Sequence, residues 1–150
     1  MTCRRVWAVE IGGIAPDFAL MDQHGTPVRL SGLRGESVVI VFFPAAFTGV
    51  CQGELHELAT LEARVLAISV DSMFALRAWA DREGYSFPLL SDFWPHGQVA
   101  RAYGVLDEEK GRARRGTFIL DGEGVLRWQI ETAIGQPRDV TEYRKVLTQL

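Results

Sequence analysis

Cys51 lies in a short segment, residues 44–51 (PAAFTGVC), between an apolar run and a helical pattern. The apolar run, residues 38–43, predicts a buried strand, and the residues after Cys51 predict a helix. The thiol is therefore expected in the first helical turn at the end of a central strand. Unpaired N–H groups and the helix dipole stabilise negative charge there. With a nearby cation they lower the pKa of a cysteine below its usual value of about 8.5, so a reactive thiolate is predicted.

The residues beside Cys51 suit the same chemistry. Thr48 is the predicted N-cap, and its hydroxyl can donate to a thiolate or to a substrate oxygen. Pro44 lacks an N–H and fixes the chain before the turn, which would shield the sulfur from water. The missing cation is assigned to Arg115, which directly precedes a strand predicted to begin at Thr117.

These residues resemble the peroxiredoxin family. Its P-x-x-x-T-x-x-C signature is matched by Pro44, Thr48 and Cys51. Four further segments resemble the family: residues 15–18 (APDF), 42–44 (FFP), 87–92 (FPLLSD) and 115–118 (RGTF). Residues 46–55 and 91–97 are most similar to the AhpE-type one-cysteine branch known from actinobacteria.

The resemblance implies that Cys51 is the peroxidatic cysteine. Its thiolate would attack the O–O bond of hydrogen peroxide, an organic hydroperoxide or peroxynitrite and become a sulfenic acid. Thr48, Arg115 and the N–H groups near Val50 and Cys51 would align the peroxide and stabilise the leaving oxygen. Glu54, one turn after Cys51, would orient Arg115.

The resemblance also bears on how the sulfenic acid is reduced. One branch carries a second cysteine five positions later, where this chain has His56, and no cysteine follows Cys51. Cys3 is the remaining internal candidate, within or between subunits. The favoured hypothesis is an external thiol: mycothiol with a glutaredoxin-like partner, or thioredoxin.

Two other functions are weighed against the peroxidase. A thioredoxin-type disulfide oxidoreductase would need a C-x-x-C pair, and Thr48 stands in place of the first cysteine. A peroxide-sensing or chaperone-like oligomer stays open as an additional role.

The family resemblance implies a homodimer or a larger homo-oligomer. Phe93 and Trp94 are interpreted as core or subunit-contact residues, and Lys110, Arg112 and Arg114 as a solvated loop.

The surrounding pattern predicts a thioredoxin-like α/β fold, a mixed central sheet flanked by helices with an N-terminal hairpin. Strands are predicted over residues 18–21, 27–30, 38–43, 65–70, 117–120 and 125–129. Helices are predicted over residues 48–63, 73–83 and 97–103, and from 137 or 138 to 150. The connection from Cys51 to Val65 looks short for the family, so the active-site helix or its following loop must be trimmed.

Bulk properties narrow the function classes. The length of 150 residues predicts one domain over residues 1–150. The net charge of −3 argues against nucleic-acid binding. No apolar stretch approaches a membrane span, and the run after Arg5 is too short for a secretory signal, so a cytoplasmic location is expected. Two cysteines and three scattered histidines predict neither a disulfide scaffold nor a metal site, and no cofactor is expected.

Overall fold

The structure, a computed structural model, describes residues 8–150, except for the side chains of residues 49–53. The elements in chain order are β1 (Ala19–Met21), β2 (Pro27–Arg29), β3 (Val38–Phe42), α1 (Gly49–Leu58), β4 (Arg64–Ser69), α2 (Met73–Glu83), β5 (Leu89–Ser91), α3 (Gln98–Ala102), β6 (Leu106–Asp107), β7 (Arg112–Ala113), β8 (Gly116–Leu120), β9 (Leu126–Glu131) and α4 (Val140–Thr148). A 3₁₀ turn, Leu30–Leu33, follows β2.

A mixed seven-stranded sheet in the order β2-β1-β5-β4-β3-β8-β9 forms the centre of the fold. Strands β3 and β4 are parallel and joined through α1, which confirms the predicted β-α-β unit. The predicted hairpins β1–β2 and β8–β9 are antiparallel. Strands β6 and β7 form a separate two-stranded ribbon. The predicted mixed sheet with flanking helices is confirmed.

The central strand β3 is buried on both faces. Ile40 and Phe42 belong to the core cluster that includes α3, whereas Val39 and Val41 belong to the cluster that includes α1, α2 and α4. Side chains alternate across a strand, so a continuous apolar run is what a doubly covered strand requires. The segment that leads to Cys51 therefore starts at the end of a strand in the middle of the core.

Helix α1 ends earlier than predicted. The expected helix over residues 48–63 closes at Leu58, and residues 59–63 form turns. There the Leu61 N–H donates to the carbonyl of Leu58, and the Leu61 side chain is buried. Burying Leu61 favours the tighter turn over another helical turn. Ala59, predicted on the apolar face, is exposed. Residues 59–63 therefore connect α1 to β4 without further helix.

Helix α4 begins later than predicted, at Val140 rather than at residue 137 or 138. Asp139 is its N-cap and accepts a hydrogen bond from the Glu142 N–H. Pro137 and Arg138 precede the helix. The Arg138 N–H donates to Glu54 Oε1, a residue 84 positions away in the sequence. The apolar pattern of this helix predicts that Val140 and Leu150 face inward; Val140 is buried, but Leu150 is 45% exposed.

Three strands were not predicted: β5, which joins β1 to β4 in the sheet, and the ribbon strands β6 and β7. Each has only two or three residues, too few to show a period in the sequence. Within residues 8–150, no helix is long and apolar enough to cross a bilayer. The same described residues contain no group of His, Cys, Asp and Glu side chains that would hold a metal ion.

Candidate active site

Cys51 is the third residue of α1, in the first turn of the helix that follows β3. Its backbone thus has the predicted position, while its side chain and that of Val50 lie outside the described part of the structure. Thr48 is the N-cap residue with an extended backbone, but its hydroxyl caps no N–H group of the helix. The Thr48 Oγ1 donates to the Ala45 carbonyl at 2.9 Å instead, which closes the loop before the helix.

Arg115 is almost completely buried, with 3% of its surface exposed. It lies just before β8, the antiparallel neighbour of β3 in the sheet. Its Nη1 donates to the carbonyls of Ala133 (2.6 Å) and Gln136 (2.5 Å). Its Nη2 donates to Glu54 Oε1. The predicted contact between Arg115 and Glu54 is therefore present.

One of the three guanidinium nitrogens of Arg115 makes no hydrogen bond to the described residues. Its Nε–H is buried and has no hydrogen-bond partner within the described residues. A buried polar group without a partner costs free energy, and such groups cluster at functional sites. A small anion or a polar substrate oxygen would satisfy this donor. The guanidinium is thus held through Nη1 and Nη2, while Nε has no acceptor among the described residues.

Glu54 binds a second arginine that the sequence did not reveal. Its Oε2 accepts from Arg138 Nε at 3.1 Å, and its Oε1 accepts from the Arg138 backbone N–H at 3.0 Å. Arg138 also donates to Thr117 Oγ1 (3.2 Å) and to the Phe42 carbonyl (2.6 Å). One buried carboxylate thus fixes two guanidinium groups next to α1, the helix that carries Cys51.

Tyr143 extends this network into α4. Its hydroxyl lies 3.0 Å from Thr117 Oγ1. Burial raises the pKa of Tyr143, although the hydrogen bond with Thr117 and the charge of Arg138 oppose the shift. The phenol is therefore neutral at physiological pH and links α4 to the arginines by a hydrogen bond.

Pro44 and Arg115 meet in an open cleft of about 210 Å³. The other lining residues are Asp107, Arg112, Ala113, Arg114, Glu131, Thr132, Ala133 and Ile134. Three of the predicted site residues thus adjoin one another: Pro44 and Arg115 in the cleft, and Glu54 beneath Arg115. Arg115 thus contributes to the lining of this cleft, although only 3% of its surface is exposed.

Several other sequence interpretations change with the structure. Arg114 is only partly exposed, and its guanidinium bonds Glu131 and the carbonyls of Gly104 and Leu106 instead of extending freely into solvent. Arg112 lies in the strand β7 and not in a loop. Phe93 and Trp94 are exposed, at 53% and 80%, so the core interpretation is wrong for both. Cys3 lies outside the described residues.

His56, for which the sequence suggests no partner, contacts Glu83 at the end of α2 and Tyr85 two residues later. Its Nε2 lies 3.5 Å from Glu83 Oε2, and its ring centroid is 4.7 Å from that of Tyr85. It packs α1 against α2 and has no place in the Arg115 network.

Comparison with known proteins gives a consistent picture. The chain is 47% identical over 139 residues to alkyl hydroperoxide reductase E of Mycobacterium tuberculosis, an alignment that covers 87% of this chain and 91% of the relative. It is 36% identical over 156 residues to a putative peroxiredoxin of Synechocystis, covering 93% of this chain and 77% of the relative.

Solved structures agree with the sequence comparison. Peroxidoxin BcpB of Mycobacterium tuberculosis superposes with a TM-score of 0.82 at 30% identity, covering 95% of this chain and 98% of the other. AhpC of Enterococcus faecalis superposes with a TM-score of 0.80 at 33% identity, covering 93% and 90%. The AhpC/TSA family profile matches residues 11–129. The chain therefore belongs to the AhpC/TSA family, the peroxiredoxins.

Proposed function

We propose that this protein is a thiol-dependent peroxidase in which Cys51 attacks the peroxide. The observation that carries the proposal is the buried Nε–H of Arg115, a cationic donor with no partner among the described residues. Glu54 and two carbonyls hold the guanidinium, and Pro44 lies in the same cleft. Cys51 lies in the first turn of the helix that also carries Glu54, and Glu54 binds Arg115, so the thiol and the cation are both attached to α1.

The reaction balances without a cofactor. The Cys51 thiolate attacks one peroxide oxygen, an S–O bond forms and the O–O bond breaks. Sulfur is oxidised to a sulfenic acid, and the leaving hydroxide or alkoxide takes a proton to give water or an alcohol. Fixed donors that match the developing charge accelerate such a step without reorganisation. Arg115 and the N–H groups of Val50 and Cys51 are proposed for that task.

The Thr48 hydroxyl can assist the reaction in two ways, as an acceptor or as a donor of a hydrogen bond. The hydroxyl now donates to the Ala45 carbonyl, so its oxygen is available to accept from the peroxide O–H. Rotation of the hydroxyl would instead make it a donor to the thiolate. Pro44 would wall the cleft against water, and Glu54 would keep Arg115 in place.

The sulfenic acid then needs two thiols. The first condenses with it to a mixed disulfide and water, and the second releases Cys51 by thiol–disulfide exchange. We propose an external reductant, either mycothiol with a glutaredoxin-like partner or thioredoxin. Such thiols are kept reduced in the cytoplasm, so this step favours that location. The two-cysteine alternative uses Cys3 as the resolving thiol.

A homodimer or larger oligomer is part of the proposal. Phe93 and Trp94 are exposed aromatic side chains, as subunit contacts would require in a separated chain. The name of the relative from Mycobacterium tuberculosis supports alkyl hydroperoxides among the substrates. Hydrogen peroxide and peroxynitrite remain candidates beside them.

The proposal is tested with one cysteine variant and its matched control. Peroxide consumption is measured for Cys51→Ser and Cys3→Ser in the presence of thioredoxin or of a low-molecular-weight thiol. We expect Cys51→Ser to abolish turnover and Cys3→Ser to retain it, with a sulfenic acid at residue 51 detected by mass spectrometry. A wild-type reaction no faster than that of free cysteine would refute the peroxidase. A Cys3–Cys51 disulfide in high yield would replace the external reductant with the two-cysteine alternative.

A further inference from the structure

Asp71 holds the loop that leads to Cys51, although it lies beyond β4 on a different part of the chain. Its Oδ2 accepts hydrogen bonds from the Ala46 N–H at 2.8 Å and from Ser69 Oγ at 2.7 Å. Its own carbonyl accepts from Ser91 Oγ at 2.6 Å. Two serines, at the ends of β4 and β5, therefore fix Asp71, and its carboxylate fixes the neighbouring loop.

The loop held in this way is strained at Phe47. Its φ of 65° lies in the left-handed region, where the Cβ of a residue other than glycine is crowded. Such a conformation persists only where the surrounding structure determines it from several sides. Here Asp71 binds the N–H of the preceding residue, Thr48 bonds back to the Ala45 carbonyl, and the Phe47 ring lies 6.2 Å from that of Trp79.

The strained residue directly precedes the N-cap of α1, so its backbone angles set the direction in which the helix leaves the sheet. That direction decides where the first-turn N–H groups and the thiol stand relative to Arg115. A misplacement of about 1 Å at such a site is enough to slow a reaction about a hundredfold. We propose that Asp71 is a positioning residue for the thiol chemistry, acting through the Ala46 N–H. The inference rests on the proposed peroxidase function.

The carboxylate acts here as a hydrogen-bond acceptor. In the part of the chain that the structure describes, Oδ2 receives both hydrogen bonds and Oδ1 receives none. An asparagine would present its carbonyl oxygen to Ala46 and Ser69 and its amide nitrogen on the other side. Alanine would remove the acceptor, and serine would be too short to reach the Ala46 N–H.

The test compares Asp71→Ala, Asp71→Ser and Asp71→Asn in the full chain. Asp22→Ala is the matched control, because the Asp22 Oδ1 holds the His24 and Thr26 N–H groups in the β1–β2 turn in the same way. Stopped-flow tryptophan fluorescence gives the rate constant for hydrogen peroxide. The pH dependence of alkylation by iodoacetamide gives the pKa of Cys51, and circular dichroism verifies folding.

We expect Asp71→Ala and Asp71→Ser to react about ten to a hundred times more slowly than wild type, with a raised Cys51 pKa. Asp71→Asn should stay within about threefold of wild type in both readouts, as should Asp22→Ala. If Asp71→Ala does not fold, Asp71→Ser and Asp71→Asn carry the same comparison. Wild-type rates in folded Asp71→Ala or Asp71→Ser would overturn the inference, as would an Asp71→Asn variant as slow as alanine. A wild-type protein without fast peroxide reaction would instead overturn the proposed function.

Discussion

Arg114 and Arg115 are neighbours in the chain but occupy two different regions. Arg114 is partly exposed, and its Nε, Nη1 and Nη2 all bond acceptors: Glu131 and the carbonyls of Leu106 and Gly104. Arg115 is buried with Glu54, and its Nε has no partner in the described part of the chain. An arginine with all three nitrogens bonded acts as a structural brace. Under the proposed function, the nitrogen of the buried arginine that has no partner serves to bind the peroxide.

The largest expected effect is on the free energy of unfolding, when the carboxylate beside Arg115 (Glu54) is compared with the one beside Arg114 (Glu131). Glu54→Gln leaves Arg115 and Arg138 buried without their counter-charge, which should cost about 3–5 kcal/mol in the free energy of unfolding. Glu131→Gln, the matched change beside Arg114, should cost at most about 1 kcal/mol because that pair is partly solvated. Urea denaturation measures both, and equal losses would erase the distinction between the two regions.

Peroxide reactivity should separate the two arginines directly. Arg115→Lys keeps a positive charge but loses the planar arrangement of donors, so we expect the rate constant to fall about a hundredfold or more. Arg114→Lys should change it less than about threefold. Stopped-flow fluorescence across pH gives rate and Cys51 pKa together, and the pKa should be highest in Arg115→Ala. Comparable slowing in Arg114→Lys would show that Arg115 is not the cation that assists the thiolate.

Arg138 offers a test between these extremes. It shares Glu54 with Arg115, and it also donates to Thr117 and to the Phe42 carbonyl. We expect Arg138→Lys to slow peroxide reaction about tenfold, because it loosens Glu54 and thereby the guanidinium of Arg115. Arg144→Lys, on exposed α4 surface, is the control. A hundredfold loss in Arg138→Lys would place this arginine at the substrate rather than behind it.

The smallest effect is expected at a surface arginine pair, Arg127 with Asp121. Burial works against ionisation of Asp121, but hydrogen bonds from Arg127 and from the Val125 and Glu123 N–H groups outweigh it and lower the pKa of Asp121 below 3.8. A lowered pKa adds stability that is present above pH 3.8 and is lost as the pH falls through the folded value.

Asp121→Asn removes that pH-dependent contribution while keeping an acceptor in the turn. Its unfolding free energy should therefore fall less than that of wild type between pH 4 and pH 2, by under about 1 kcal/mol. Denaturation curves at several acidic pH values measure the difference. If the Asp121→Asn difference in unfolding free energy were as large as the loss in Glu54→Gln, burial would not explain why the Glu54–Arg115 pair matters more than the Asp121–Arg127 pair.

Much of the site's framework was predictable because it is local in sequence. The apolar run of β3, the N-cap at Thr48 and the helix after it are encoded within some twenty consecutive residues. The pairing of Arg115 with Glu54 came from resemblance to a family, since nothing local links residues 61 positions apart.

Arg138 and Asp71 were not predicted as part of the site. Each is defined by a partner on another element, Glu54 in one case and the Ala46 N–H in the other. The periodicity of apolar residues cannot predict such contacts. It indicates which face of a helix or strand a residue occupies, but not which residue of another element packs against that face. The end of α1 was also misplaced, since no glycine or proline marks it and the burial of Leu61 favours a tighter turn.

The link between Glu54 and Arg138 has a consequence for how the protein is made. The two residues are separated by 84 positions, and contacts of such long range form only after costly loop closure. Cys51 leaves the ribosome well before Arg115 and Arg138 are synthesised. On the proposed mechanism, a nascent chain would thus carry an ordinary, slow thiol. Peroxide reactivity would begin only when the segment before α4 docks, so the enzyme would not be oxidised during its own synthesis.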